Sequence, residues 1–185
     1  LFEAFFNAKG AVSLLLLMLL VLLVSLEGFI FPAMEGLDSA HNVMDGVFFK
    51  DFLTDFPGSA KPSYVFDYYR QYPALGFLFW PPFFPFVEGV FFKVLGVDLL
   101  VGQIAVFAFS LVFAVFMYLL LRFDYSRLVS VCGVSMAVLA PSLFEFFNSI
   151  MREIPAISLM TFVAWLYRYT VKSKVNASKY RTWLA

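Results

Sequence analysis

"LLVGQIAVFAFSLVFAVFMYLLL", residues 99–121, contains no charged side chain. At 1.5 Å per residue, about 17 to 25 helical residues cross a hydrocarbon core of about 30 Å, and this run is long enough. Working outward, Ala11–Leu26, Leu128–Phe144 and Ile154–Tyr167 are also free of charge. The last is short, and spans only if it continues past Arg168, whose long side chain can carry its charge to the interface. Composition agrees: 62% of residues are apolar and 14% charged, against about half and a quarter in soluble domains. The chain reads as all-α, a polytopic transmembrane helical bundle with membrane helices at about 11–32, 99–121, 128–147 and 154–171.

Between the first two spans, residues 33–98 are amphipathic rather than uniformly apolar, with twice as many acids as bases. This is expected to be a long first extracytoplasmic loop containing amphipathic interfacial helices. Within it "QYPALGFLFWPPFFPF", 71–86, is uncharged but carries Pro73, Pro81, Pro82 and Pro85. An interior proline removes a backbone hydrogen bond and clashes with the preceding turn, so a kinked, half-inserted segment is expected instead of a straight span. The two arginines of "RFDYSR", 122–127, and the bases of the tail (Arg168, Lys172, Lys174, Lys179, Arg181) mark the cytoplasmic side. The loop 33–98 and the turn "NSIMREIP", 148–155, then share the outer face. The glycosylation-like "NAS" at 176–178 falls on the inner side.

Net charge is zero and selects no partner, nucleic acid included. The single cysteine, Cys132, excludes an internal disulfide and reads as a small buried apolar residue. Glycine-rich phosphate loops, CxxC pairs and HExxH are absent from the sequence, which removes the usual signatures of nucleotide hydrolysis and zinc proteolysis. Ala11–Leu26 is expected to be a retained helix, since more apolar runs follow it. The start on Leu1 and the stop on "RTWLA" suggest the N-terminal part of a longer protein.

Two constellations could carry chemistry. "MEGLDSAHNVMDGVFFKD", 34–51, read as a helix from Asp38, aligns Ala40, Val43, Met44, Val47, Phe48 and Phe52 on an apolar stripe. Asp38, His41 and Asp45 then share the opposite face. That face is either the solvated side of a surface-lying helix or an acid–base or divalent-metal site, with His41 and Asp45 as the metal candidates. Asp38 could also simply cap the helix. In "MREIP", 151–155, Arg152 and Glu153 either anchor the chain at the interface or line a polar pocket, the guanidinium gripping a phosphate and the carboxylate orienting a substrate. "YYRQYP", 68–73, adds aromatic faces, Tyr72 among them, that suit sugar rings and membrane interfaces alike.

The order of these pieces is similar to the GT-C superfamily of integral-membrane glycosyltransferases, which includes protein O-mannosyltransferases and lipid A aminoarabinose transferases. One membrane helix, a long outer loop opening with the Asp of "GLDSAH", a "YP…PPFF…LG" passage, and a two-helix hairpin leading to "AP…MREIP" carry the resemblance over roughly residues 11–169. The resemblance implies a polyprenyl-phosphate-linked sugar donor, a lipid, polysaccharide or protein acceptor, and a site on the extracytoplasmic face of a plasma (inner) or endoplasmic reticulum membrane. It implies Asp38 as general base and Glu153 as the acidic residue of the second outer loop, with Arg152 beside it; Arg152 and, from the residues themselves, His41 and Tyr72 are the candidate donor-phosphate or substrate contacts. A divalent metal ion is a further expectation, because some relatives use one. Ser39 follows Asp38 where many members have Glu. The rival readings are a polytopic transporter, whose path intramembrane charges would mark, and a non-catalytic subunit of a membrane complex docking through residues 38–55.

Overall fold

The computed structural model describes residues 8–32, 36–55, 62–73, 75–76 and 80–182, with side chains as far as Lys172. The expected entry into the loop at 33–35, the middle of the proline-rich passage (74 and 77–79) and the "NAS" side chains lie outside the described residues. The described chain is all-α: α1 (Ala8–Val24), α2 (Leu26–Ile30), α3 (Gly36–Asp55), α4 (Pro62–Gln71), α5 (Phe83–Leu95), α6 (Leu99–Leu121), α7 (Arg127–Val138), α8 (Pro141–Phe147) and α9 (Glu153–Thr182).

Among the described residues one helix, α6, is long and apolar enough to cross a membrane. It starts where Asp98 caps it, the carboxylate accepting from the Leu100 N–H at 2.8 Å. Its inward face is built from small and polar residues (Gly102, Gln103, Ala105, Ser110, Ala114) between Val106 and Phe113, which lets neighbouring backbones come close. α9 runs beside α6 in the same direction: Gly102 faces Ile150 at one end, Phe116 stacks edge-on to Phe162 midway (4.8 Å), and Asp124 pairs with Arg168 at the other. α1 and the α7–α8 pair run the opposite way and bring Val24, Gly28 and Asn148 to the α6 N-terminus.

Two expected spans are broken. The helix predicted over 11–32 ends at Val24 and resumes at Leu26, because Asn148 inserts into its hydrogen-bond ladder. The Asn148 Oδ1 accepts from Gly28 N–H (2.8 Å) while its Nδ2 donates to the Val24 carbonyl (3.0 Å), occupying the two groups that would otherwise bond each other. The helix predicted over 128–147 bends by 71° between α7 and α8. Ala140 is forced extended (φ −62°, ψ 126°) before Pro141, which opens α8 at a position where its missing N–H costs nothing. α7 and α8 make a second membrane-length segment only if taken together as one broken span. α1, at 17 residues, is apolar but shorter. Cys132 is exposed rather than buried; it sits on the face of α7 that also presents Leu128, Val129 and Met136 outward.

The described part of the region 33–98 forms α3, α4 and α5, with non-helical stretches at 72–73, 75–76, 80–82 and 96–98. α3 and α5 pack face to face, with Gly89 of α5 so close to α3 that an added Cβ would lie 2.9 Å from the Gly46 carbonyl oxygen. The proline-rich passage gives way to helix sooner than expected: Pro81 and Pro82 precede α5, and Pro85 falls in its first turn, where no intrahelical N–H is needed.

Candidate functional site

The non-helical turn 148–152 between α8 and α9 is held by polar side chains from elsewhere. Gln103 of α6 donates to the Phe147 carbonyl (2.6 Å), and Asn42 of α3 donates to the Ile150 carbonyl (3.1 Å). Backbone carbonyls in an apolar setting need such partners, so both amides are committed to shaping this turn. The long loop and "NSIMREIP" therefore meet at one end of the molecule, as their expected topology requires.

α3 turns part of its polar surface to this turn, so of the two readings left open for Asp38, His41 and Asp45 the wholly solvated face does not hold. Ser39, Asn42 and Asp45 are all buried, Asp45 completely, while His41 is half-buried and Asp38 exposed. Val43 and Phe48 are buried as the apolar stripe predicts. The helix begins at Gly36, so Asp38 lies inside its first turn and is not the cap.

Asp45 makes a buried ion pair: its Oδ2 receives Arg152 Nη2 at 2.7 Å, and its Oδ1 receives the Gly76 N–H at 2.8 Å. The Arg152 guanidinium also lies over the Trp80 ring, 5.5 Å from its centre. Its Nε and Nη1 are buried without a hydrogen-bond partner among the described residues. A guanidinium held by one nitrogen and unsatisfied at two others is a ready anion acceptor.

Asp38, Arg152 and Glu153 line one small recess of about 60 Å³, together with Asn42, Trp80 and Met151. Arg152, Glu153 and Trp80 also line the mouth of a larger, mostly apolar cavity of about 340 Å³ walled by Pro81, Phe83, Phe84, Pro155, Ala156 and Leu159. From Leu159 the apolar lining continues as an open furrow along α9 over Met160, Val163, Ala164 and Tyr167.

Two other expected residues are not brought in. Tyr72, just past the end of α4, lies with Tyr64 and Tyr68, ring centres 5.0 and 6.1 Å apart in sequence order from Tyr72, and lines a separate polar cavity with Asp51, Asp55 and Asp67. Burial, and a hydrogen bond to Asp51, push the Tyr68 phenol well above its ordinary range. His41 lies against Gly76 and lines neither the recess nor the apolar cavity. Among the described residues no group of three or more His, Cys, Asp or Glu is placed to hold a metal ion, and Asp45 gives its oxygens to Arg152 and Gly76.

No family model, curated protein or solved structure matches the chain. The site must be read from its own chemistry.

Sequence reasoning passed over Glu88. Its side chain is completely buried, and neither carboxyl oxygen has a hydrogen-bond partner among the described residues. Burial foremost, and then the Asp45 charge, push this carboxyl well above its ordinary range, against the opposing pull of Arg152. The available signal was a lone acid followed by glycine within the phenylalanine-rich "FFPFVEGVFF". Trp80 and Asn42 were also missed, and only their contacts reveal them.

Proposed function

We propose that this chain carries the donor site of a membrane glycosyltransferase of the GT-C type, moving a sugar from a polyprenyl-phosphate carrier to an acceptor at the outer membrane face. One observation carries the reading: Arg152, with two unsatisfied donors, stands between the exposed carboxylate of Asp38 and an apolar cavity that opens onto α9. That arrangement suits an amphiphile with an anionic head, because the chain can lie along the furrow while its phosphate meets the guanidinium. From Ala156 to Tyr167 the furrow runs for about 16 Å at 1.5 Å per residue, enough for several isoprene units. Exposed leucines along α1 and the length of α6 support a bilayer setting, with α1, α6, α7–α8 and α9 as the crossing elements.

The acceptor hydroxyl or amine gives its proton to Asp38 as its lone pair attacks the anomeric carbon. The bond from that carbon to the phosphate oxygen breaks, and the lipid phosphate leaves with the electron pair and one more negative charge. The Arg152 guanidinium meets that charge, and the cavity walls keep water from competing. Glu153, exposed at the start of α9, orients the acceptor or sugar. The deciding experiment is sugar transfer from a polyprenyl-phosphate donor by the reconstituted protein and its Asp38→Asn variant. The expected loss is about 10²- to 10⁴-fold in turnover with donor binding retained; near wild-type turnover removes Asp38 as base.

A further inference from the structure

Glu88 has no role in the mechanism above, yet two helices leave room for it. A Cβ added at Gly46 of α3 would lie 2.5 Å from Glu88 Oε2, and one added at Gly102 of α6 would lie 3.0 Å from Oε1. The carboxyl thus fills a notch made by the absence of two side chains, one of them at Gly46 next to Asp45 in α3, and it feels the charges of both Asp45 and Arg152. The charged groups facing it are Asp45 from α3 and Arg152 from the turn; α6 contributes none, and the nearest lysine of α3, Lys50, is held by Asp51 at 2.6 Å. Gln103 of α6 is committed to the Phe147 carbonyl.

The charge of this buried cluster depends on Glu88 alone. With Glu88 as the neutral acid, Asp45 and Arg152 cancel, and the guanidinium's remaining donors can serve an incoming anion. With Glu88 ionised, the cluster carries a net negative charge in a medium that screens it poorly. A second carboxylate then competes with the ligand for the same guanidinium.

We propose that Glu88 is a positioning residue that gates the anion site: its acid form leaves Arg152 free to hold the ligand's phosphate, and its ionised form closes the site. Ionisation gives the proton to water and adds one negative charge beside Arg152; anion binding draws the proton back. By linkage, an anion bound at Arg152 raises the pH at which Glu88 ionises. The proposal rests on the reading of Arg152 as a phosphate site, and the two can fail separately.

The test uses the whole protein in detergent, with a farnesyl phosphodiester as ligand so that its charge stays constant over the pH range. Infrared spectroscopy should show a protonated-carboxyl carbonyl band near neutral pH that is absent from Glu88→Gln and disappears as pH rises. Over the same interval wild-type affinity, followed by the fluorescence of Trp80 against the Arg152 guanidinium, should fall by about tenfold or more, as a like charge at a buried site requires. Glu88→Gln, which mimics the acid form, should hold affinity constant. A missing band in wild type, or the same pH dependence in Glu88→Gln, overturns the gate. Binding that ignores pH while the band titrates overturns the gate alone. Absence of binding at every pH, with the band present and titrating, overturns the phosphate site and the gate with it.

Discussion

Asp45→Asn is the most informative change in the buried cluster, because its cost depends on what Glu88 does next. The asparagine keeps the shape of the side chain and can still accept the Gly76 N–H through Oδ1, so the substitution removes charge and little else. Arg152, whose side chain is 15% exposed beside an Asp45 that is 0% exposed, then loses its counter-ion. Breaking a buried ion pair from one side costs about 3–5 kcal/mol when the remaining charge has no other partner. Here Glu88 is that partner: losing the Asp45 charge removes one cause of its raised ionisation range and leaves the favourable pull of Arg152. It should ionise in place and limit the loss to about 1–2 kcal/mol. Glu88→Gln alone should raise stability at pH 7, since glutamine resembles the neutral acid and takes up no proton on folding. The double variant has no carboxylate for Arg152 and should lose the full ~3–5 kcal/mol relative to Glu88→Gln, a coupling of about 2 kcal/mol. The measurement is a double-mutant cycle from unfolding in mixed micelles at pH 7, followed by circular dichroism. The rescue also has a pH signature: acid opposes ionisation of Glu88, so Asp45→Asn alone should weaken further as pH falls. Additivity of the two substitutions within about 0.5 kcal/mol would refute the reasoning.

Three further outcomes follow from the same geometry. In the folded protein Glu88 keeps its proton above the ordinary value of 4.5, where the unfolded chain has lost it. The folded state therefore binds more protons, and stability declines as pH rises from there until Glu88 ionises, by at most about 1.4 kcal/mol per pH unit. The wild-type minus Glu88→Gln difference in unfolding free energy should follow that slope, and a flat difference counts against a protonated Glu88. Gly46→Ala would put a Cβ 2.5 Å from Glu88 Oε2 and 2.9 Å from Phe92 Cε2. Overpacking of about 1–3 kcal/mol outweighs the gain of about 1 kcal/mol in helix propensity, so thermal unfolding should shift down; an unchanged or raised midpoint means the α3–α5 contact is looser than it is here. Asn148→Ala removes bonds to Gly28, Val24 and Phe144, a loss of about 2–3 kcal/mol at about 1 kcal/mol each. Faster amide exchange at Gly28 would accompany it, and an unchanged exchange rate there would contradict the bridging role.

The helices were legible where one physical preference dominated. Residues 99–121 carry no charge, and α6 has those bounds. Pro155 suits a helix's first turn, and α9 starts at Glu153. Breaks caused by long-range contacts were not legible: nothing near Ser25 announces that Asn148, far along the chain, will occupy the bonds of Val24 and Gly28. The break at Pro141 was visible as a proline, yet a span of the right length outweighed it. In the site, Asp38, Arg152 and Glu153 were chosen from sequence and do share one recess. The ion pair of Asp45 was not foreseen, because periodicity gives which residues share a helix face and not what that face meets. A polar stripe normally meets water; here it meets the bare carbonyls and the guanidinium of another segment.

The turn that carries Arg152 has no regular structure of its own and borrows its shape from Asn42 and Gln103, which are 108 and 44 residues distant from the carbonyls they hold. Contacts of such sequence separation carry a loop-closure cost before they stabilise anything, so the turn depends on α3 and α6 being in place. A lesion that loosens α3 or α6 by about a kilocalorie or two would leave a helical protein whose proposed anion site is formed only part of the time. Loss of the proposed binding in such variants would precede any loss of helix content.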